Sequence, residues 1–292
     1  MGTLVAKKYP TVLALKSADH TYVTCGSESK AWACWGGKTG GAKYRWGQGS
    51  TLRADAIAGV DEKAGVTCYL INGVCHQAAN RILRPAGITV LGARGYDLSE
   101  VAFGAYGRPR GRLGLCRAPF HQHVTVTGDL PECLVDHDVG SFMILRRFLN
   151  LLHSAKEREY LSGVMRIYEM AWPSFDSEMS LTDVDLLTLQ LELFMHKVRY
   201  ALGNDLEQRL ADQLSDVRRS YEEDRMEIED KFADGRVDAA TFVRDFDQRT
   251  FELQAQFADL LDDSQYKRLL GLDRGETITL VDPVLAEQAF IR

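Results

Sequence analysis

The most informative segment of the sequence is Tyr69-Leu-Ile-Asn-Gly-Val-Cys-His-Gln-Ala-Ala-Asn-Arg-Ile-Leu83, in which a cysteine stands between two predicted structural elements. An apolar run ends at Asn72-Gly73, and an amphipathic helix is predicted to begin at Cys75. The start of a helix presents unpaired N–H groups and the positive end of the helix dipole, which favour a thiolate over a thiol and bind oxyanions. The segment therefore predicts an acidified, nucleophilic Cys75. The alternative is a small buried thiol that packs the helix onto a sheet.

Composition limits the classes of function. The 292 residues are 45% hydrophobic and 26% charged, with a net charge of -6 and no basic tract, so neither nucleic acid nor an anionic membrane is predicted as a partner. No apolar run has the length of a membrane span, and the N-terminal residues lack the order of a signal peptide. We therefore expect a cytoplasmic protein. The six cysteines include no C-x-x-C pair and are expected to be reduced thiols.

The chain changes character near residue 140. Before this point short apolar runs alternate with turns, whereas afterwards glycine is rare and charged periodic stretches dominate. We predict an α+β domain over residues 1–140 and a helical region over residues 141–292. Strands are predicted in the runs 11–15, 20–25, 31–35, 88–91, 123–127 and 278–281, and a helix at 77–83 that stops at Pro85.

A long αα-hairpin is predicted at about residues 204–262, with its turn at Asp234-Gly235. Its apolar positions form narrow stripes, among them Leu214, Tyr221 and Phe246. Such stripes favour a two-helix arm that binds a protein partner or self-associates. Packing of the hairpin on its own domain is an equally open alternative.

A cysteine nucleophile needs a base within hydrogen-bond reach of its sulfur, and two histidines begin predicted strands, His20 and His123. The segments Asp19-His-Thr-Tyr-Val23 and Asn72-Gly-Val-Cys-His-Gln77 resemble the circularly permuted type of the NlpC/P60 superfamily of papain-like cysteine hydrolases. The resemblance covers about the first ninety residues. It implies a papain-like antiparallel sheet with a nucleophile helix, in which His20 acts as the base of Cys75. No third polar residue is evident on the strand at 31–35.

The unpermuted members of that superfamily carry the histidine after the cysteine. Here His123-Val-Thr-Val is similar to that arrangement, with Asp136, His137 or Asp138 as the third residue. We favour His20 over His123 with Asp138, because the early strands surround the cysteine segment coherently. His76 is expected to face away from the sulfur as a positioning or solvent residue.

Two side chains near Cys75 are candidate oxyanion donors, Asn72 and Gln77. Helix capping for Asn72 and a packed amide for Gln77 are the alternatives. A zinc site is a further possibility that we considered, since His121-Gln-His123 lies near other potential ligands, namely Cys116, Cys133 and His137. Because their spacing matches no strong motif, no metal and no other cofactor is predicted.

Together these features predict a thiol-dependent hydrolase or acyl transferase. Attack by Cys75 on an amide or ester, such as a peptide, would give a thioester that water or an amine resolves. The alternative is a non-catalytic interaction or structural protein with a buried structural Cys75 and a partner-binding hairpin.

Overall fold

The computed structural model of the chain describes residues 2–10, 18–27, 29–33, 38, 40–64, 67–109, 153–171 and 181–281. Over these ranges the chain is an α+β protein, with an antiparallel sheet near the N-terminus followed mainly by helices. The predicted α+β class is therefore confirmed. None of the helices in these ranges has the length and apolar character that a bilayer crossing requires.

Within the described residues the sheet has four strands, β1 Gly2–Pro10, β2 Asp19–Cys25, β3 Ala31–Trp32 and β4 Ala42–Gly49. Their order is β3-β2-β1-β4, and all neighbours are antiparallel. Because side chains alternate along a strand, one face presents Leu4, Ala6 and Val23 to the apolar core. The predicted strands at 20–25 and 31–35 correspond to β2 and β3. Strands β1 and β4 have no counterpart among the predicted strands.

Three helices follow the sheet, α1 Thr51–Ala64, α2 Cys75–Leu83 and α3 Tyr96–Phe103. Helix α2 begins at the predicted cysteine and packs on β2. A π-helical turn at Thr67–Ile71 leads into it, and a 3-10 turn at Arg84–Ala86 ends it. Pro85 cannot donate an N–H to the helix, and Gly87 adopts a φ of 65° that favours glycine, so the predicted stop is confirmed.

The second half of the described chain is helical, with α4 Ala155–Ala171, α5 Asp183–Leu202, α6 Gln208–Ala233, α7 Ala239–Leu260 and α8 Asp263–Leu270. Helix α5 is capped by Thr182, whose hydroxyl accepts the Asp185 N–H at 3.2 Å. Helices α6 and α7 form the predicted hairpin. Its turn lies at Asp234-Gly235, where Gly235 has a φ of 69°.

The hairpin is packed on its own chain. Its apolar positions, including Leu214, Tyr221 and Phe246, share a cluster with Leu70 and Phe103 from the first half. A second cluster joins the sheet and α2 to helices α4 and α5. The narrow stripe is therefore covered by the chain itself, and a partner would have to bind the exposed polar side of the hairpin. The predicted domain boundary near residue 140 lies outside the described residues, but both clusters contain residues from each side of it.

Five fully buried charged side chains also join the hairpin to the first half, and we call them the arginine–glutamate cluster: Arg108, Arg218, Glu222, Arg225 and Glu229. Arg218 lies 2.9 Å from Glu222, and Arg225 lies 3.1 Å from Glu229, each one turn along α6. Arg108 contacts both carboxylates. Buried charges are tolerated only when paired and hydrogen-bonded, and here the guanidinium groups also donate to main-chain oxygens.

Two predicted strands are wrong. Residues 88–91 are buried and residues 278–281 are partly buried, and both segments are irregular in the structure. Val90 gives its N–H to the Asn80 side chain at 2.8 Å, and the Ile278 main chain pairs with Gln254. Side-chain amides thus satisfy these backbone groups in place of a neighbouring strand. The predicted strands at 11–15 and 123–127 lie outside the described residues.

Candidate functional site

Cys75 is the first residue of α2 and lies above the start of β2. The N-cap residue before it, Val74, is extended and has no side-chain acceptor, so it forms no side-chain cap. The first helical hydrogen bond runs from the Ala78 N–H to Val74 O at 3.2 Å. The N–H groups of Cys75, His76 and Gln77 precede this bond and have no carbonyl four residues earlier in the helix, which is the arrangement of an oxyanion-binding helix start.

The Cys75 sulfur is partly buried against two residues of β2. Its Sγ lies 4.0 Å from the main-chain oxygen of Asp19. Burial raises the pKa of the Cys75 thiol, although the nearby Thr21 main chain, Thr21 hydroxyl and His76 main chain act in the opposite direction. The Asp19 carboxylate raises that pKa further. The predicted acidification of Cys75 is therefore wrong in direction, because desolvation outweighs the donors of the helix start.

His20 and Cys75 are not brought together. Thr21 faces Cys75, and successive residues of a strand point to opposite faces, so His20 projects from the other side of the sheet. There its ring centroid lies 5.0 Å from that of Tyr9 and 6.3 Å from that of Tyr22. The strand phase therefore argues against His20 as the base of Cys75.

His76 is buried, not solvated. Its Nε2 lies 2.9 Å from Asp19 O, and its Nδ1 lies 3.0 Å from the Ser99 hydroxyl. A carbonyl only accepts, so Nε2 carries the proton. Burial lowers the pKa of His76 to about 4, against the opposing effect of Asp19. Both ring nitrogens are occupied, so His76 positions the helix start and leaves no nitrogen to accept a proton from Cys75.

Gln77 caps the helix and is not free to bind an oxyanion. Its Oε1 accepts the Val74 N–H at 3.1 Å, and its Nε2 donates to Ser99 Oγ and to Gly104 O, each at 3.2 Å. The packed-amide alternative therefore describes Gln77. Asn72 is anchored through its main-chain oxygen, which accepts the Arg108 N–H at 2.7 Å. Its Oδ1 is buried without a hydrogen-bond partner in the described part of the chain.

Asp19 organises this site, and sequence reasoning did not identify it. Its carboxylate lies 2.7 Å from Lys8 Nζ and 3.0 Å from the Arg94 N–H, while its main-chain oxygen meets both Cys75 and His76. The alternation of side chains along β2 could have indicated that Asp19 and Thr21 face the core, because both lie in phase with the apolar Val23. That phase places them on the core side of β2.

Several predicted site residues lie outside the described ranges, namely Cys116, His121, His123, Cys133, Asp136, His137 and Asp138. Within those ranges no group of three or more His, Cys, Asp or Glu side chains is arranged to hold a metal ion. Comparison of the chain with protein-family models, curated proteins and solved structures gives no match.

Proposed function

We propose that this protein is a thiol-dependent hydrolase or acyl transferase that acts on an amide or ester through Cys75. The observation that carries the proposal is the start of α2, where a half-buried cysteine begins a helix turn whose N-cap, Val74, offers no side-chain acceptor. A nucleophile and an oxyanion site then belong to the same turn. The antiparallel sheet beneath α2 is consistent with the papain-like arrangement that the NlpC/P60 resemblance implies.

The reaction would proceed in two steps. The Cys75 thiolate attacks the carbonyl carbon, and the electron pair of the C=O bond moves to oxygen, where N–H groups of the first turn stabilise it. Collapse expels the amine or alcohol, which takes the proton that the base removed from the thiol. Water or an amine then attacks the thioester carbonyl while the base takes its proton, and the C–S bond breaks to release the sulfur, which recovers that proton.

The base in this proposal is His123, oriented by Asp138. A base is needed, since burial raises the pKa of Cys75 and leaves the resting thiol protonated. His20 lies on the other face of β2, and both nitrogens of His76 are engaged. The unpermuted arrangement is therefore the version of the papain-like hypothesis that we retain.

Iodoacetamide labelling of the native protein near pH 7, resolved by peptide mass spectrometry, tests the proposal. We expect Cys75 to label stoichiometrically, His123→Ala to slow that labelling at least about tenfold, and His20→Ala to leave it unchanged. An equal effect of the two variants would remove His123 as the base. Labelling of Cys75 only after unfolding would contradict the nucleophile itself.

A second candidate is a non-catalytic structural or interaction protein, in which Cys75 is a packing residue. The raised pKa of Cys75 favours it, because a protonated thiol is a poor nucleophile. Under this alternative Cys75→Ser changes the unfolding midpoint but no chemical activity. The labelling experiment distinguishes the two candidates.

A further inference from the structure

The Thr21 hydroxyl is a buried polar group on the face of β2 against which α2 and Cys75 pack. Thr21 is 1% exposed, and its Oγ1 has no hydrogen bond of ordinary geometry to any described residue. Against the effect of burial, this hydroxyl is among the groups that lower the pKa of Cys75. An unpaired buried hydroxyl is costly, so a group at this position calls for an acceptor.

The two protonation states of Cys75 use this hydroxyl differently. In the neutral thiol, the S–H points toward Asp19 O, 4.0 Å away, and sulfur is a weak acceptor. Once the base has removed the proton, the thiolate becomes a strong, charged acceptor. The Thr21 hydroxyl then gains its partner, while Asp19 O remains hydrogen-bonded to His76.

We propose that Thr21 donates a hydrogen bond to Cys75 when the sulfur is a thiolate, and that it thereby sets the reactivity of this thiol. This inference rests on the proposed function of Cys75 as the nucleophile. Thr21 keeps its own proton throughout, and the thiol proton leaves to the base. When the sulfur attacks a carbonyl, the negative charge passes to the carbonyl oxygen and the bond to Thr21 weakens.

Strand β2 supplies a matched control in Thr24. Thr24 is 3% exposed, and its Oγ1 likewise lacks a hydrogen-bond partner among the described residues. Because Thr24 lies three residues after Thr21 in the strand, its side chain projects from the opposite face. Thr21→Val and Thr24→Val therefore remove the same atom at similar burial, and only the first removes it beside Cys75. Thr21→Ser keeps the hydroxyl and is the conservative variant.

The rate of iodoacetamide labelling of the Cys75 peptide is measured against pH in the full-length wild-type protein and in the three variants. The Cys25 peptide in the same digests reports whether the fold is intact. We expect Thr21→Val to raise the midpoint of the Cys75 profile by about one pH unit, which is about a tenfold slower rate below the midpoint. Thr21→Ser should restore the profile, and Thr24→Val should leave it unchanged.

The outcomes distinguish the role of Thr21 from the role of Cys75 as the nucleophile. Equal Cys75 profiles in wild type and Thr21→Val would overturn the role of Thr21 while leaving Cys75 as the nucleophile. Equal shifts in Thr21→Val and Thr24→Val would also overturn it, since they would report a general loss of stability. If Cys75 in the native wild type does not label at any pH, the proposed function fails, and this inference fails with it.

Discussion

Arg225 on α6 donates through Nη2 to the main-chain oxygen of Ile71, at 3.0 Å and across 154 residues of sequence. Ile71 is the last residue of the π-helical turn that leads into Cys75. The same guanidinium donates to Ala102 O at 2.8 Å and to Glu229 at 3.1 Å. One buried side chain thus connects the hairpin, the end of α3 and the segment before the candidate nucleophile.

Replacing Arg225 by methionine should lower the free energy of unfolding by about 3–5 kcal/mol. Methionine keeps the apolar stem but leaves two buried carbonyls and the Glu229 carboxylate without this donor. The control is Arg219→Met, because Arg219 is exposed on the same helix, and it should change the free energy of unfolding by no more than about 0.5 kcal/mol. Urea unfolding measures both, and equal shifts would contradict the importance of the buried contacts.

Acid should destabilise the protein through Glu222. Burial by itself raises the pKa of Glu222, but Arg108, Arg218 and Arg225 outweigh it and hold that pKa at about 2, below the ordinary value of 4.5. The unfolded state therefore takes up a proton first as the pH falls, and stability is lost between about pH 4.5 and 2. Glu222→Gln should flatten that pH dependence while lowering stability at pH 7. A variant that keeps the wild-type slope would contradict this origin.

His76 should contribute a second pH dependence at higher pH. Its pKa is 6.5 when exposed and is lowered to about 4 in the fold, chiefly by burial. The contribution of His76 to the free energy of unfolding is therefore fully present above pH 6.5. It is lost as the pH falls toward 4, because in this window the unfolded state binds the proton and the folded state does not. His153 is shifted in the same direction, to about 4, chiefly by burial. Denaturant unfolding at a series of pH values measures the slope of the free energy of unfolding against pH. We expect His76→Gln to remove part of that slope between pH 4 and 6.5, and the double variant with His153→Gln to remove most of it.

Gly107→Ala should destabilise the turn before Cys75. Gly107 has a φ of 96°, and a Cβ there would collide with the main-chain oxygen of Asn72. Gly203 is the matched control, since its φ is 101° but a Cβ there would meet no atom within 4 Å. We expect about 1–2 kcal/mol of backbone strain in Gly203→Ala and a clearly larger loss in Gly107→Ala. Thermal unfolding compares the two, and equal losses would show that the contact with Asn72 is unimportant.

Much of the fold was predictable because its signals are local. The hairpin, its turn at Asp234-Gly235 and the start of α2 at Cys75 follow from periodicity and turn residues. The burial of the hairpin stripe was not predictable in this way. Its narrow apolar face is supplemented by the arginine–glutamate cluster, and charged residues on a helix ordinarily indicate a solvated face.

The candidate site was predicted less completely, because its properties depend on contacts between distant segments. The position of Cys75 could be derived from sequence, but the direction of its pKa depends on how deeply β2 buries the sulfur. The side of the sheet from which His20 projects depends on strand phase. The apolar Val23 carried that information, since it lies in phase with Thr21 and out of phase with His20.

The bond between Ile71 and Arg225 also has a consequence for synthesis on the ribosome. At about 5–20 residues per second, the 154 residues that separate the partners take about 8–30 s to translate. During that interval Ile71 and the apolar Leu70 have emerged without the hairpin that covers them. The nascent first half therefore exposes this apolar surface until the hairpin has been made, and the turn before Cys75 gains its bond to Arg225 only late in synthesis.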